Sequence, residues 1–172
     1  MARSAARRPR HRNNRAPAGT TGRGSVSFAL SQLLLQLAIS TAMVMVTVMI
    51  HGLGLALLGR AVADEREEEK LHHLPPLSLR GAVFTLITVL TLFILHGLEI
   101  WAYAALYLVI NAFAHLEQAL YFSTISYAAI GYGDAALPEQ WRLLGAIEGI
   151  NGVILLGWST AFFVNLLMRL RR

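Results

Sequence analysis

The chain has 172 residues, 55% of them hydrophobic, and a mean hydropathy of +0.52, too apolar for most soluble domains of this size. Fifteen Lys and Arg against 10 Asp and Glu give a formal net charge of +5 at pH 7 and a pI near 10.2. Cysteine is absent, which excludes disulfides and thiolate metal sites.

Residues 1–25 carry much of the basic excess. Arg3, Arg7, Arg8, Arg10, Arg12, Arg15 and Arg23 occur there without one acid. The stretch is polar and has no apolar period, so it is expected to be disordered. A first apolar segment covers 26–58, with His51 its only ionisable residue. A charged linker, 59–80, follows. It holds an acidic run from Asp64 to Glu69 and ends at Pro75 and Pro76, which reads as a short solvated helix and a stop. His72 and His73 beside it could bind a metal. A second apolar segment, 81–112, contains His96 and Glu99; a third, 145–168, contains Glu148. A membrane span needs roughly 20 apolar residues, so each of the three suffices.

Between the second and third segments lies a short amphipathic helix, predicted over 114–127, and then Ala128-Ala129-Ile130-Gly131-Tyr132-Gly133-Asp134. A glycine-bearing loop between two spans needs protein or water around its backbone. A bare cation could use that backbone, because carbonyl oxygens can replace a hydration shell. Gly131 and Gly133 tolerate positive φ, where an ordinary residue would be strained.

The stretch Tyr121-Phe122-Ser123-Thr124-Ile125-Ser126-Tyr127 followed by Ala-Ala-Ile-Gly-Tyr-Gly-Asp resembles the pore helix and selectivity filter of tetrameric potassium channels. It is most similar to the small bacterial channels of the two-helix ion-channel family, over roughly residues 81–172. The resemblance implies an all-α membrane protein: three transmembrane helices with a re-entrant pore helix and a filter loop, assembled as a homotetrameric pore. It implies potassium ions held by the backbone carbonyls of Ala129, Ile130, Gly131 and Tyr132, with Gly133 completing the filter. Asp134 would stand at the pore mouth, and Tyr121 and Phe122 would support the filter. Gly152, or else Gly157, would be the gating hinge of the inner helix; the alternative for Gly152 is helix packing, since Gly145 and Gly149 share GxxxG spacing. Membrane lipid and the permeant ion are the expected partners, with no cofactor and no nucleic acid. The expected location is the cell inner membrane, as a multi-pass protein.

One departure bears on selectivity. The family usually has Thr-Thr where this chain has Ala128-Ala129, so the innermost site loses a ring of hydroxyls. A weakly selective cation channel is therefore the alternative. A non-conducting scaffold or sensor that keeps the pore shape is a third reading.

A filter facing outward places the linker and Arg169, Arg171 and Arg172 inside, as the positive-inside rule requires. The same arrangement places the N-terminal arginines outside, against that rule. A natural start near Val26, or a first segment lying along the membrane, would remove the conflict. Within the spans, His96 and Glu99 fall three apart on one helix face. They could pair with each other or with Glu148, as an interhelical clamp or as a proton-sensitive gate. A metal site from His51, His96 and Glu99 is a further alternative. Trp141 and Trp158 read as interface or packing aromatics. No span carries a regular Arg or Lys repeat, so no Arg-rich voltage sensor is expected. No nucleophile–base pair or phosphate loop points to an enzyme.

Overall fold

The structure, a computed structural model, describes residues 21–72, 79–131 and 136–170. Helices α1 (Thr21–His72), α2 (Leu79–Val109), α3 (Leu116–Tyr127) and α4 (Arg142–Leu170) hold nearly all of them, with a 3₁₀ turn at Glu139–Trp141 leading into α4. Three stretches are long and apolar enough to cross a membrane: Val26–Asp64, Gly81–Val109 and Glu139–Met168. Helix is the form these sequences must take in lipid, because it satisfies every backbone group within the segment.

The first helix does not stop at residue 58. It continues to His72, so the acidic run belongs to the same rod rather than to a separate short helix. Gly59 does not break it, since one glycine costs only about 1 kcal/mol in a helix. The residues after it are helix formers until Pro75, which lies outside the described residues. At 1.5 Å per residue, the 52 residues of α1 reach roughly 78 Å, well beyond a bilayer core of about 30 Å.

Cross-contacts fix the directions. Gln36 meets Leu143, Thr47 meets Asn151 and His51 meets Ser159, so α1 and α4 run parallel. His51 meets Glu99, and the Cβ position of Gly54 lies on the side chain of Leu95, so α2 runs antiparallel to α1. The start of α1 is therefore on the same side as the α3–α4 connection. The first segment packs lengthwise in the bundle, which removes the alternative that it lies apart along a membrane surface. Short α3 sits between α2 and α4.

The polarity is inverted relative to a water-soluble bundle. Gln36, Ser40, Thr47 and His51 are buried along one face of α1, while Met49, Leu53 and Leu57 are exposed. On α2, Glu99 and Thr88 are buried while Phe93 and Ile94 are exposed. Exposed Thr41, Thr91 and Thr124 bond their own helix carbonyls four residues back, so no hydroxyl of theirs needs water. A core of Tyr103, Tyr107, Phe122, Trp141 and Leu144 fills the level of α3. Tyr107 meets Phe113 and Phe122 edge to face, with centroids 5.8 and 5.3 Å apart, a favourable arrangement for aromatic pairs. A second core, Leu58, Val62 and Leu166, closes the opposite end.

Candidate functional site

The loop that carries the glycine motif begins as a helix cap. Ile130 N–H donates to the Ile125 carbonyl at 2.8 Å, and Ala129 N–H to the Ser126 carbonyl at 2.8 Å. That pair of bonds is a Schellman motif, whose left-handed position falls on Ala129, with φ +55°. The same motif ends α2, where Asn111 takes the left-handed position with φ 54°. Asn tolerates that conformation; alanine has no side-chain compensation and is strained there by about 1–2 kcal/mol. Gly131 follows with φ +75°. Ile130, between them, has no positive φ. Left-handed residues at every second position reverse the turn of successive peptide planes, as a ladder of carbonyls facing one way requires.

The seat of this loop is a face of small residues on α4. A Cβ on Gly145 would stand 3.1 Å from the Phe122 ring, and one on Gly149 would stand 3.1 Å from the Ser126 carbonyl oxygen. On Gly152 it would stand 2.1 Å from the Tyr127 carbonyl oxygen, closer than real Cβ contacts allow. Gly152 thus serves the close approach of α3 to α4. Gly157 has nothing within 4 Å of its Cβ position. Beside the loop lies an open groove of about 880 Å³, whose lining includes Phe122, Ser126, Ala129, Gly131, Gly149 and Val153.

Under the loop, polar side chains from all four helices converge. Tyr127, the last residue of α3, donates its hydroxyl to Glu99 Oε2. His51 Nδ1 lies 2.8 Å from Glu99 Oε1, and His96 Nδ1 lies 3.2 Å from Glu99 Oε2. The Nε2 atoms of His96 and His51 both reach Ser159 Oγ, at 3.0 and 3.2 Å. The pairing of His96 with Glu99 is present, and His51 joins it from α1. Glu148 does not. It belongs to a second cluster, taking the Tyr107 hydroxyl at 2.6 Å, with Ser123 Oγ on its other oxygen. Ser123 also meets the carbonyl of Ile100 at 3.0 Å. Asn151 donates to Thr47 Oγ1 at 2.8 Å and to the Tyr103 hydroxyl at 3.3 Å. At the start of α4, Leu143 N–H donates to Gln36 Oε1 at 3.2 Å, satisfying one orphan donor of the helix N-terminus.

Of the residues singled out in the sequence, Ala129, Ile130 and Gly131 lie together at the end of α3. Tyr132, Gly133 and Asp134 lie outside the described residues. Phe122 is buried against Tyr107 and Phe113, whereas its neighbour Tyr121 is 64% exposed. Trp141 is buried at the start of α4, and its indole Nε1 has no partner among the described residues. Trp158 stacks obliquely on His51 at 5.3 Å. Sequence reasoning missed Tyr127 and Ser159 and gave His51 too small a part. A signal existed: Gln36, Ser40, Thr47 and His51 recur at helical spacing on one face of an otherwise apolar span.

The comparisons follow the same part of the chain. Residues 89–169, a little under half of the chain, match the model of a family described as "Ion channel". No curated protein and no solved structure was found to match. The match points to an ion-channel role. With three helices long and apolar enough to span a bilayer, it suggests a multi-pass membrane protein.

Proposed function

We propose that the chain is a potassium-selective channel, conducting passively through a pore made by four copies. In this reading, α3 is a re-entrant pore helix and residues 128–134 are the filter. One loop cannot enclose an ion, so closed four-fold symmetry follows from the function. The observation that carries the reading is the backbone at the end of α3: left-handed Ala129 and Gly131 flank Ile130 within an Ala-Ile-Gly-Tyr-Gly-Asp sequence. Backbone carbonyls of Ala129, Ile130, Gly131 and Tyr132 would replace the water around a potassium ion. Asp134 would raise cation concentration at the mouth. Exposed Ile150, Val153 and Ile154 of α4 would line the inner pore or meet the next copy. The proposed site is the inner membrane of a bacterial cell, with lipid around the outward apolar faces.

The second reading, a weakly selective cation pore, rests on Ala129, which offers no hydroxyl to the innermost site. Flux from purified protein in liposomes separates the two. Potassium flux well above sodium flux supports the first reading and equal fluxes the second; no flux of either ion refutes both.

A further inference from the structure

We propose that His51, His96 and Glu99 form a binding site for one divalent transition-metal ion of the imidazole-preferring class, with zinc foremost. The site joins α1 to α2 directly beneath the helix that carries the loop. One ligand atom from each of the three lies within 4.8 Å of the others. Zinc takes imidazole nitrogen at about 2.0–2.1 Å and carboxylate oxygen at about 2.0–2.2 Å, so its tetrahedral ligands stand roughly 3.4 Å apart. Small side-chain rotations therefore admit the ion. The hydroxyl of Tyr127, 3.0 Å from His96 Nδ1 and bonded to Glu99, supplies a fourth ligand. Two nitrogens with carboxylate and phenol oxygens suit zinc, cobalt or nickel better than calcium or magnesium.

Hydrogen counting favours an added cation. Six close contacts link His51, His96, Glu99, Tyr127 and Ser159. Each neutral imidazole has one N–H, and each hydroxyl has one hydrogen. If both Nδ1 atoms carry hydrogen toward Glu99, both Nε2 atoms need the single hydrogen of Ser159. If either imidazole carries its hydrogen on Nε2 instead, a bare nitrogen faces the carboxylate. With Glu99 ionised and both rings neutral, every arrangement leaves at least one contact without a hydrogen. A metal on the Nδ1 side resolves the conflict: both rings become Nε2–H donors to the two lone pairs of Ser159 Oγ. Orientation of a ligating histidine through its other nitrogen is the usual arrangement at metal sites. A proton on Glu99 or on one ring would also balance the count, but a single shared proton needs only one imidazole. Here two present the same nitrogen to one carboxylate. Glu99 and His51 are fully buried and His96 is 13% exposed, so His96 is the ligand an incoming ion meets first.

The test uses the full chain without a polyhistidine tag, purified in detergent, stripped with a chelator and given Zn²⁺ alone or Co²⁺ alone. After desalting, the expected content is about one ion per chain, and cobalt should show the visible absorption of a four-coordinate site. His51→Gln and His96→Gln should each bring the content to background. Ser159→Ala should weaken binding by about 10- to 100-fold. His115→Gln, and His72→Gln combined with His73→Gln, should leave it unchanged. A wild-type chain that retains no metal overturns the proposal and leaves a shared proton as the cation. Metal retained by His51→Gln, or lost in the His72 and His73 double variant, also overturns it. If His51→Gln fails to assemble, the double variant decides: a cobalt spectrum that survives it supports the site.

Discussion

Gly152→Ala is the most informative single perturbation of the loop's seat. The new Cβ would stand 2.1 Å from the Tyr127 carbonyl oxygen, 2.8 Å from its carbonyl carbon and 2.9 Å from its ring. Relief to 3.0 Å from the oxygen alone needs about 0.9 Å of movement, and the obstacle is backbone, not the free end of a side chain. Overpacking of this kind costs about 1–3 kcal/mol. The displaced group is the last residue of α3, two positions before Ala129, so the strain should reach the loop. Gly157→Ala is the matched control. Nothing lies within 4 Å of its Cβ position, and replacing a mid-helix glycine gains up to about 1 kcal/mol of helix propensity. Gly149→Ala, 3.1 Å from the Ser126 oxygen, should fall between them. Thermal unfolding of the purified variants should give that order, with Gly152→Ala lowest, and liposome flux should fall most in Gly152→Ala. Wild-type melting and flux in Gly152→Ala would refute the close-approach argument. A large loss of flux with unchanged stability in Gly157→Ala would place the hinge there.

Ala129→Thr adds a hydroxyl beside the innermost site but puts a β-branched residue at φ +55°. We expect stronger cation block from the inner side and a lower melting temperature, since β-branching adds to the left-handed strain that alanine already carries; unchanged block and unchanged melting would count against both parts. Ser123→Ala strips Glu148 of one donor and the Ile100 carbonyl of its contact. It should cost roughly 0.6–1.7 kcal/mol in thermal unfolding, the range for interhelical hydrogen bonds in membranes, and a neutral result would show that Glu148 is not held there. Gln36→Leu removes the acceptor for Leu143 N–H and should cost about 1 kcal/mol, as a lost N-cap does; no change would mean that α1 does not secure the start of α4.

The spans, the short helix and the loop could be located in the sequence because each rests on a local signal: long apolar runs, and glycines at fixed places after an aromatic-rich turn. What escaped depends on contacts between distant positions. His51 and Glu99 are 48 residues apart, and nothing local says that α1 and α2 bring them face to face. Glu148 looked like a partner for His96 because both are ionisable, yet it sits nearer the start of α4, level with Tyr107 and Ser123. The left-handed Ala129 was hidden because alanine announces no turn, unlike the glycine two places on. The apolar pattern ends near residue 58, but α1 continues to His72, because charged helix formers extend a helix beyond the part that is apolar.

The central claim is that the chain following α3 meets its copies around one axis and that main-chain oxygens there hold the ion. A structure of the lipid-embedded assembly, collected with thallium in place of potassium, measures this directly. The expected result is a four-fold assembly with heavy-ion density on the axis, level with Ala129, Ile130 and Gly131. Those residues facing lipid, or lying away from a shared axis with no ion beside them, would contradict it.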